Sequence, residues 1–369
     1  MNYFCFTLFG LSFFSCISDD DRPSLDNVDI DFMSTEMIDI EKNNGLEILQ
    51  LFSNDNIYID QFRYMIVTDE YFLFYDSDFK IHIYDLLLNH INTIHKIGKG
   101  SGEYLSIAGL SLSEKASEFY ITDTGNKKIL RMDINGDIID EVSTKNWIKN
   151  GNRFSKNKKL YVGATLNSNI LSSGKNFGIV LFDGNDDLKE GYFEFSEPNS
   201  FGMGNGHQLI RLSDEHFGYY HTYSNSIYHI YEDRIEDAYT FTLPKPVLPE
   251  NLVLDHMRGN IELDEYSYFL SYFENKNYLV LTYNLDRDRY WSVLEKKSKM
   301  THSYIFKYQE ECTGCNKIYT IGLDSDGIIV VVGGSALLRL DKDLESTITY
   351  MPQDYDIEYE DFLIRLKFP

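Results

Sequence analysis

Few residues in this chain have both the type and the spacing that chemistry needs. Cys312 and Cys315 form a C-x-x-C pair, a spacing found in local disulfides, thioredoxin-like redox centres and zinc sites. In an exported chain, a disulfide that pins a loop is the favoured interpretation, and two free thiols are the alternative. A redox centre needs a helix N-terminus beside the thiols, but the surroundings are strand-like, and only His302 is near enough to assist a zinc site.

Two other sets of residues resemble metal sites only superficially. Asp183 and Glu194 bracket a run with the spacing of a calcium loop, but its sixth position holds Leu188 where the sharp turn requires Gly. We therefore interpret this run as a hairpin turn between strands. Four histidines near the fourth repeat are interpreted as surface or hydrogen-bonded side chains: His207, His216, His221 and His229. No catalytic residue, metal ligand or cofactor is assigned from the sequence.

A glycine-rich run could be mistaken for a phosphate-binding loop. Gly98, Gly100 and Gly102 fall within five residues and are followed by Glu103 and Tyr104. A phosphate cradle needs a helix directly after the glycines, because the N–H groups at the helix start hold the anion. Here another strand follows, so the run is predicted to be a structural turn between repeats, held by contacts of its Glu and Tyr side chains.

The N-terminal residues predict export and a lipid anchor. The apolar run Tyr3–Phe14 is too short to span a membrane as a helix but has the length of a signal-peptide core. It ends in Ser15-Cys16 and is followed by Asp19–Asp21, which resembles a lipobox with an acidic surface-export signal. We predict a signal peptide over residues 1–15, lipidation at Cys16 and an acidic tether over residues 16–44 with one edge strand at its end. The alternative is an N-terminal strand that happens to contain a cysteine.

The body of the chain repeats a β-strand pattern from about residue 45 onward. Runs of alternating apolar residues recur between turn residues, and 28 Tyr with 25 Phe also favour sheet. The clearest unit spans residues 118–142, and an earlier copy spans residues 72–94. Asn135-Gly136 within the clearest unit predicts a type I′ hairpin turn. Weaker copies begin near Leu160, Phe217, Phe269 and Ile328.

Six units of this length predict a propeller. We expect an all-β fold over residues 45–369: a six-bladed β-propeller with four-stranded antiparallel blades. A β-sandwich or a solenoid is the alternative. Residues 57–59 and 64–67 are expected to supply the strand that closes the ring. In the last unit, the strand at Ile328 is expected to lead through a turn at Gly333–Ser335 to a strand at Ala336–Asp341.

The run Ile97–Tyr104, followed by the strands of the clearest unit, resembles the six-bladed β-propeller lipoproteins of gut Gram-negative bacteria, which are related to NHL-repeat propellers. Their motif has the form I-G-x-G-x-G-E-Y. The aliphatic strand Phe362–Lys367 also matches the usual end of this family. The resemblance implies a propeller attached to the outer membrane, facing the cell surface, and a ligand that is not known.

The charge of the chain limits its partners. A formal net charge of −24 with no basic patch excludes nucleic acid as an expected ligand. We expect a binding or assembly module for a glycan, a peptide or a protein partner, attached to the membrane by its anchor. The alternative is a metal-dependent hydrolase or lyase with its site in the central channel. Convergence of metal-binding side chains from several blades at one mouth would distinguish the two.

Overall fold

Short apolar strands make up nearly all of the regular structure. In the computed structural model, the described residues are 28–33, 37–39, 46–49, 51, 59, 61–144, 148–154, 160–165, 177–183, 188–194, 209–221, 223–257, 260–286, 288–306, 318–333 and 361–368. These residues form 26 strands and one helix, and the strands are arranged in six sheets.

Three short strands come first and are followed by three complete blades. The short strands are β1 (Val28–Asp31), β2 (Met37–Asp39) and β3 (Leu46–Ile48). Blade one consists of β4 (Phe62–Val67), β5 (Tyr71–Asp76), β6 (Ile81–Asp85) and β7 (His90–Ile94). Blade two consists of β8 (Gly109–Leu112), β9 (Glu118–Asp123), β10 (Lys128–Asp133) and β11 (Ile138–Ser143). Blade three consists of β12 (Ile148–Arg153), β13 (Leu160–Thr165), β14 (Phe177–Asp183) and β15 (Leu188–Glu194).

The remaining strands form three more blades. Blade four consists of β16 (Leu209–Arg211), β17 (His216–Tyr220), β18 (Ser226–Tyr231) and β19 (Ile235–Thr242), and helix α1 (Glu250–Met257) follows it. Blade five consists of β20 (Tyr268–Glu274), β21 (Tyr278–Leu285), β22 (Asp288–Glu295) and β23 (Thr301–Phe306). Blade six consists of β24 (Ile318–Leu323), β25 (Gly327–Gly333), β26 (Asp361–Lys367) and the N-terminal strand β3.

The predicted fold class is confirmed: the chain is a six-bladed β-propeller whose blades are four-stranded antiparallel sheets. The first strand of each blade lies innermost, because these strands contact one another around the channel: β20 contacts β24, β24 contacts β4, β4 contacts β8, and β8 contacts both β12 and β16. The strand that closes the ring was predicted wrongly. It is β3, which pairs with β26, whereas residues 64–67 belong to the inner strand of blade one. Residues 57–58 lie outside the described part of the chain.

The N-terminal segment expected to be a tether supplies more strand than predicted. β1 pairs in parallel with β19, and β2 pairs in parallel with β23, so each adds a fifth strand to a blade. These strands are only four and three residues long and carry acidic residues, so their sequences show little apolar alternation. They are held by backbone hydrogen bonds to outer strands that the propeller already provides.

Two local predictions concern the last blade and the clearest repeat. Both edges of β25 are paired, one with β24 and the other with β26, and the strand predicted at 336–341 lies outside the described residues. The turn at Asn135-Gly136 is not type I′, because only Gly136 has a positive φ, of 85°. The Gly136 N–H donates to the carbonyl of Asp133 at 2.9 Å. The pairing of β10 with β11 shifts by one residue between Arg131 and Met132, as in a β-bulge.

The hydrophobic core lies between the faces of adjacent blades rather than in one central mass. Blades six and one, for example, pack Ile329 and Val331 against Phe72 and Phe74. Separate clusters fill the contacts between blades two and three, three and four, and four and five. Because each blade buries both of its faces in this way, the ring is rigid and the inner strand ends are held in fixed positions around the channel.

Candidate functional site: the mouth of the channel

A cavity of about 600 Å³ opens where the inner strands of five blades end. Its lining includes residues at the ends of β4, β8, β16, β20 and β24 and in the turns that follow them. We call this region the mouth. Its volume falls in the range of small-molecule and peptide pockets, roughly 300–1,000 Å³.

The mouth has an apolar floor and a polar rim. Ile66, Leu112 and Ile210 are among the floor residues, and the exposed side chains of Asp69, Lys276, Asn277, Ser325 and Asp326 are on the rim. The aromatic side chains in the lining, Tyr64, Phe72 and Phe273, are only 6%, 3% and 3% exposed. They therefore offer no broad ring face on which a sugar could stack.

Glu114 and Arg211 line the mouth and belong to a larger, mostly buried polar group, which we call the arginine cluster: Glu114, Glu118, Tyr120, Arg131, Asp140, Arg153 and Arg211. Glu114 lies in the β8–β9 turn and lines the mouth. Arg131 Nη2 lies 2.5 Å from Glu114 Oε1 and 2.5 Å from Glu118 Oε2. Burial opposes ionisation of Glu114, but local hydrogen bonds and Arg131 outweigh that effect and hold its pKa below the ordinary value.

The second arginine of the cluster is paired less completely. Arg153 Nη1 donates to Asp140 Oδ2 at 2.7 Å, but Arg153 Nη2 is 3.8 Å from Glu114 Oε1, too far for a hydrogen bond. Three buried donors of this cluster have no hydrogen-bond partner among the described residues: Arg131 Nε, Arg153 Nε and the hydroxyl of Tyr120. Tyr120 pairs with Arg131 across β9 and β10, so these donors belong to one neighbourhood.

Arg211 joins three blades at the same place. Its Nε donates to the carbonyl of Leu112 in blade two at 3.1 Å, and its Nη2 donates to Asn152 Oδ1 in blade three at 2.8 Å. The same Nη2 also contacts the carbonyl of Arg153. Because Arg211 ends the inner strand of blade four, it fixes the positions of the inner strands that form this part of the mouth.

Blade six carries a fully paired set, and two of its members, Asp324 and Arg365, line the mouth. We call it the blade-six cluster: Glu47, Asp324 and Arg365. Arg365 Nε donates to Asp324 Oδ2 at 2.8 Å, and Arg365 Nη1 donates to Glu47 Oε2 at 2.6 Å. Asp324 Oδ1 also accepts the backbone N–H groups of Asp326 and Gly327, both at 2.8 Å, so it closes the β24–β25 turn. The two acids raise the pKa of Arg365 against the opposing effect of burial.

A third group surrounds Glu274, which ends the inner strand of blade five and is fully buried. Its carboxylate contacts Lys296 Nζ and the hydroxyl of Tyr272, and His229 Nε2 lies 3.4 Å away. Burial opposes ionisation here, but His229 and Lys296 keep the pKa of Glu274 below its ordinary value. Burial, together with the nearby His229, lowers the pKa of His216 to about 4.

The glycine-rich run lies away from the mouth, between blades one and two. Gly100 N donates to Glu103 Oε2 at 2.8 Å, and Gly102 has a φ of 73°, which favours glycine. The Tyr104 hydroxyl donates to the carbonyls of Phe79 and Ile94 at 2.9 and 3.1 Å. Asn126 Nδ2 donates to the carbonyl of Gly98 at 2.8 Å. These contacts stabilise the glycine-rich run as a turn between two blades, and strand β8, not a helix, follows it.

The histidines singled out in the sequence do not converge on one point. The rings of His216 and His229 are 5.1 Å apart, whereas His221 stacks on Phe193 at 5.0 Å. His207 lies outside the described residues. Within the described part of the chain, no three His, Cys, Asp or Glu side chains are grouped so that they could hold a metal ion. No observation therefore favours the metal-dependent alternative.

Several sequence predictions fall on residues that the structure does not describe. Cys16, Cys312 and Cys315 are among them, so lipidation and the disulfide stay predictions, as does the division at residues 15 and 44. The strands β14 and β15, which flank the calcium-like run, pair in antiparallel fashion. The arginine cluster was not predicted. The available signal was that Arg153, Arg211 and Glu274 each end the first strand of a blade.

These features define a six-bladed β-propeller with a ligand-sized, polar-rimmed cavity at one mouth of its channel. Residues 41–358 match the family described as "Domain of unknown function (DUF4934)", and the chain belongs to this family. No curated protein matches the chain. Among the described residues, no helix is long and apolar enough to cross a membrane.

Solved structures share the fold. A protein from Bacteroides fragilis whose name describes it as exported superimposes with a TM-score of 0.70 at 16% identity, over 92% of this chain and 100% of that one. A member of the DUF4221 family from Bacteroides vulgatus gives a TM-score of 0.48 at 11% identity, over 88% of this chain and 98% of that one. At these identities the first likeness shows the fold alone.

Proposed function

We propose that this chain is a cell-envelope lipoprotein whose propeller binds a short peptide segment of a partner protein at the mouth. The observation that carries this proposal is the cavity of about 600 Å³, to which five blades contribute strand ends. An apolar floor with a rim of side-chain amides, carboxylates and an ammonium group suits a peptide, which presents both apolar side chains and backbone hydrogen-bonding groups. A glycan is less suited, because the aromatic side chains of the lining are buried.

The proposed location rests on two separate observations. The lipobox-like run ending at Cys16 supports a lipid anchor at the outer membrane, directed to the cell surface. The similarly folded Bacteroides fragilis protein is named as exported, which supports passage into the envelope. A bacterial acyl anchor contributes about 0.8 kcal/mol for each buried CH₂, so membrane attachment through several chains is effectively permanent.

Binding is tested with the purified mature protein, screened against peptide and glycan arrays. We expect peptides to bind and Lys276→Ala with Asn277→Ala on the rim to weaken binding at least tenfold. Asn135→Ala, in an exposed turn of blade two, is the matched control and should bind as the wild type does. Binding of glycans alone, or peptide binding that the rim variant leaves unchanged, contradicts the proposal.

The anchor is tested separately in the producing cell. Cys16→Ala should abolish labelling by an acyl-chain probe and move the protein from the membrane fraction to the soluble fraction. Ser15→Ala keeps a small residue before the cysteine and should label normally. Unchanged fractionation of the Cys16→Ala variant would refute the anchor.

A further inference from the structure

The arginine cluster differs from the other charged groups of the mouth because it holds buried donors that its own carboxylates do not pair. Arg131 and Arg153 are 6% and 8% exposed, and the Nε atom of each has no hydrogen-bond partner among the described residues. The Tyr120 hydroxyl, on a residue that is 1% exposed, has none either. An unpaired buried donor costs about 1–3 kcal/mol. Glu118 Oε2 is also buried without a hydrogen bond to any described residue, so three unpaired donors share the cluster with one unpaired acceptor, and the cluster has the capacity for a further acceptor.

Glu114 is the carboxylate of the arginine cluster that lines the mouth. It lines the cavity, whereas Tyr120, Arg131 and Arg153 do not. It sits in the short β8–β9 turn with its side chain 17% exposed, and it forms a short ion pair with Arg131 only. Glu118 has its side chain 8% exposed and begins strand β9, so it is fixed in place. Asp140 belongs to the outer strand β11 and is not part of the cavity lining.

We propose that the arginine cluster recognises a carboxylate of the ligand, and that the Glu114 side chain occupies the place of that carboxylate when the mouth is empty. This inference rests on the proposed function, since the ligand is the peptide bound at the mouth; the recognised group is then its C-terminal carboxylate or an acidic side chain.

Exchange of one carboxylate for another keeps the charge of the buried cluster unchanged. An additional anion beside Glu114 would leave an unmatched buried charge, which is costly in a low-dielectric site. If Glu114 instead rotates into the solvent-filled mouth, it keeps its charge and is hydrated there. The incoming carboxylate has two oxygens with about four acceptor sites, so it can accept from Arg131 and also from donors that Glu114 leaves unpaired.

The test uses acetate as the probe, titrated at constant ionic strength against chloride. Binding is followed by calorimetry and by the shift in unfolding temperature. Glu114→Ala removes the internal competitor, so it should bind acetate at least tenfold more tightly than the wild type. Glu114→Ala/Arg153→Gln should lose that gain. Glu70→Ala, which removes an exposed carboxylate outside the cavity lining, should behave as the wild type.

Folding of each variant is checked by circular dichroism, and Glu114→Gln replaces Glu114→Ala if the latter does not fold. The inference is overturned if neither variant binds acetate more tightly than the wild type, or if the gain persists without Arg153. It is also overturned if sulfate or phosphate binds the Glu114 variant more tightly than acetate, because the site would then favour a tetrahedral anion.

The outcomes separate this inference from the proposed function. Peptides that bind at the mouth with equal affinity to the wild type and to Glu114→Ala would leave the proposed function intact and remove the carboxylate site. Acetate binding that depends on Arg153, in a protein that binds no peptide, would support the carboxylate site and contradict the proposed peptide-binding function.

Discussion

Arg365 in blade six lines the mouth, and Arg131 in blade two contacts Glu114, which also lines it, but the donors of the two arginines are paired to different extents. Arg365 uses Nε and Nη2 on Asp324 and Nη1 on Glu47, with contacts between 2.6 and 2.8 Å. Arg131 directs Nη2 to two carboxylates and leaves Nε unpaired in the protein interior. The fully paired set fixes the β24–β25 turn, whereas the incompletely paired set keeps capacity for a further acceptor.

The two clusters differ because Asp324 closes its own turn and Glu114 does not. Asp324 accepts two backbone N–H groups of its own turn as well as the Arg365 side chain, so no other group can replace it without breaking that turn. Glu114 accepts a hydroxyl from the neighbouring Ser113 and an ion pair from Arg131, and its turn closes through other backbone groups. The Asp324 carboxylate is therefore part of its turn, whereas the Glu114 carboxylate is not needed to close its own.

The largest effect is expected for Asp324→Ala. It leaves the partly buried guanidinium of Arg365 without its main partner and two turn N–H groups without an acceptor, so the free energy of unfolding should fall by about 3–5 kcal/mol. Urea unfolding followed by tryptophan fluorescence measures the loss. A fall below 1 kcal/mol would mean that the blade-six cluster is not structural, and the comparison would fail.

Glu114→Gln should cost less, about 1–2 kcal/mol, because Arg131 keeps its ion pair with Glu118 and only one charge-assisted contact is lost. The same urea experiment applies, with Ser113→Ala as the control for the hydrogen bond between Ser113 and Glu114. If Glu114→Gln is as destabilising as Asp324→Ala, then Glu114 is a fixed structural residue, and its exchange for a ligand carboxylate is ruled out.

Much of the fold was predictable because its information is local. Alternation in β5, β6, β9 and β10 and turn residues between them are read from neighbouring positions, and six such units predicted the propeller. Asp76 and Asp123 end equivalent strands, and both accept turn N–H groups from residues close in sequence. The structural turn at Gly98–Tyr104 was likewise predicted from residues close in sequence.

The mouth was not predictable in the same way. Arg211 reaches the carbonyl of Leu112 across 99 positions, and Arg153 comes from a third blade. The sequence does not indicate which charged residues at the strand ends contact one another, because the repeats of blades three to six have diverged. Only one edge strand was predicted where β1 and β2 lie, for a different reason: these strands pair through backbone atoms, which any sequence of suitable length can supply.

Acid should destabilise the fold through His216 in blade four. The folded-state pKa of His216 is lowered to about 4, below the value of about 6.5 in an unfolded chain. Between these values the unfolded state binds the proton and the folded state does not, so stability is lost as the pH falls from about 6.5 to 4. Urea midpoints measured across this window should decline, and less steeply in His216→Gln; His95→Gln, at an exposed position, is the control. Equal slopes in all three proteins would contradict the expectation.

The smallest expected effect tests whether full pairing matters in the exposed part of the blade-six cluster. Glu47 has its side chain 39% exposed, and Arg365 retains Asp324 when it is removed. Glu47→Gln should therefore lower the free energy of unfolding by less than about 1 kcal/mol, as surface ion pairs do. The remaining effect should shrink further at high salt, which screens exposed charges. The Glu114→Gln loss should depend less on salt, because Arg131 is buried. If both variants show the same salt dependence, then the two clusters are equally exposed to solvent, and the contrast between a fixed and an exchangeable carboxylate loses its physical basis.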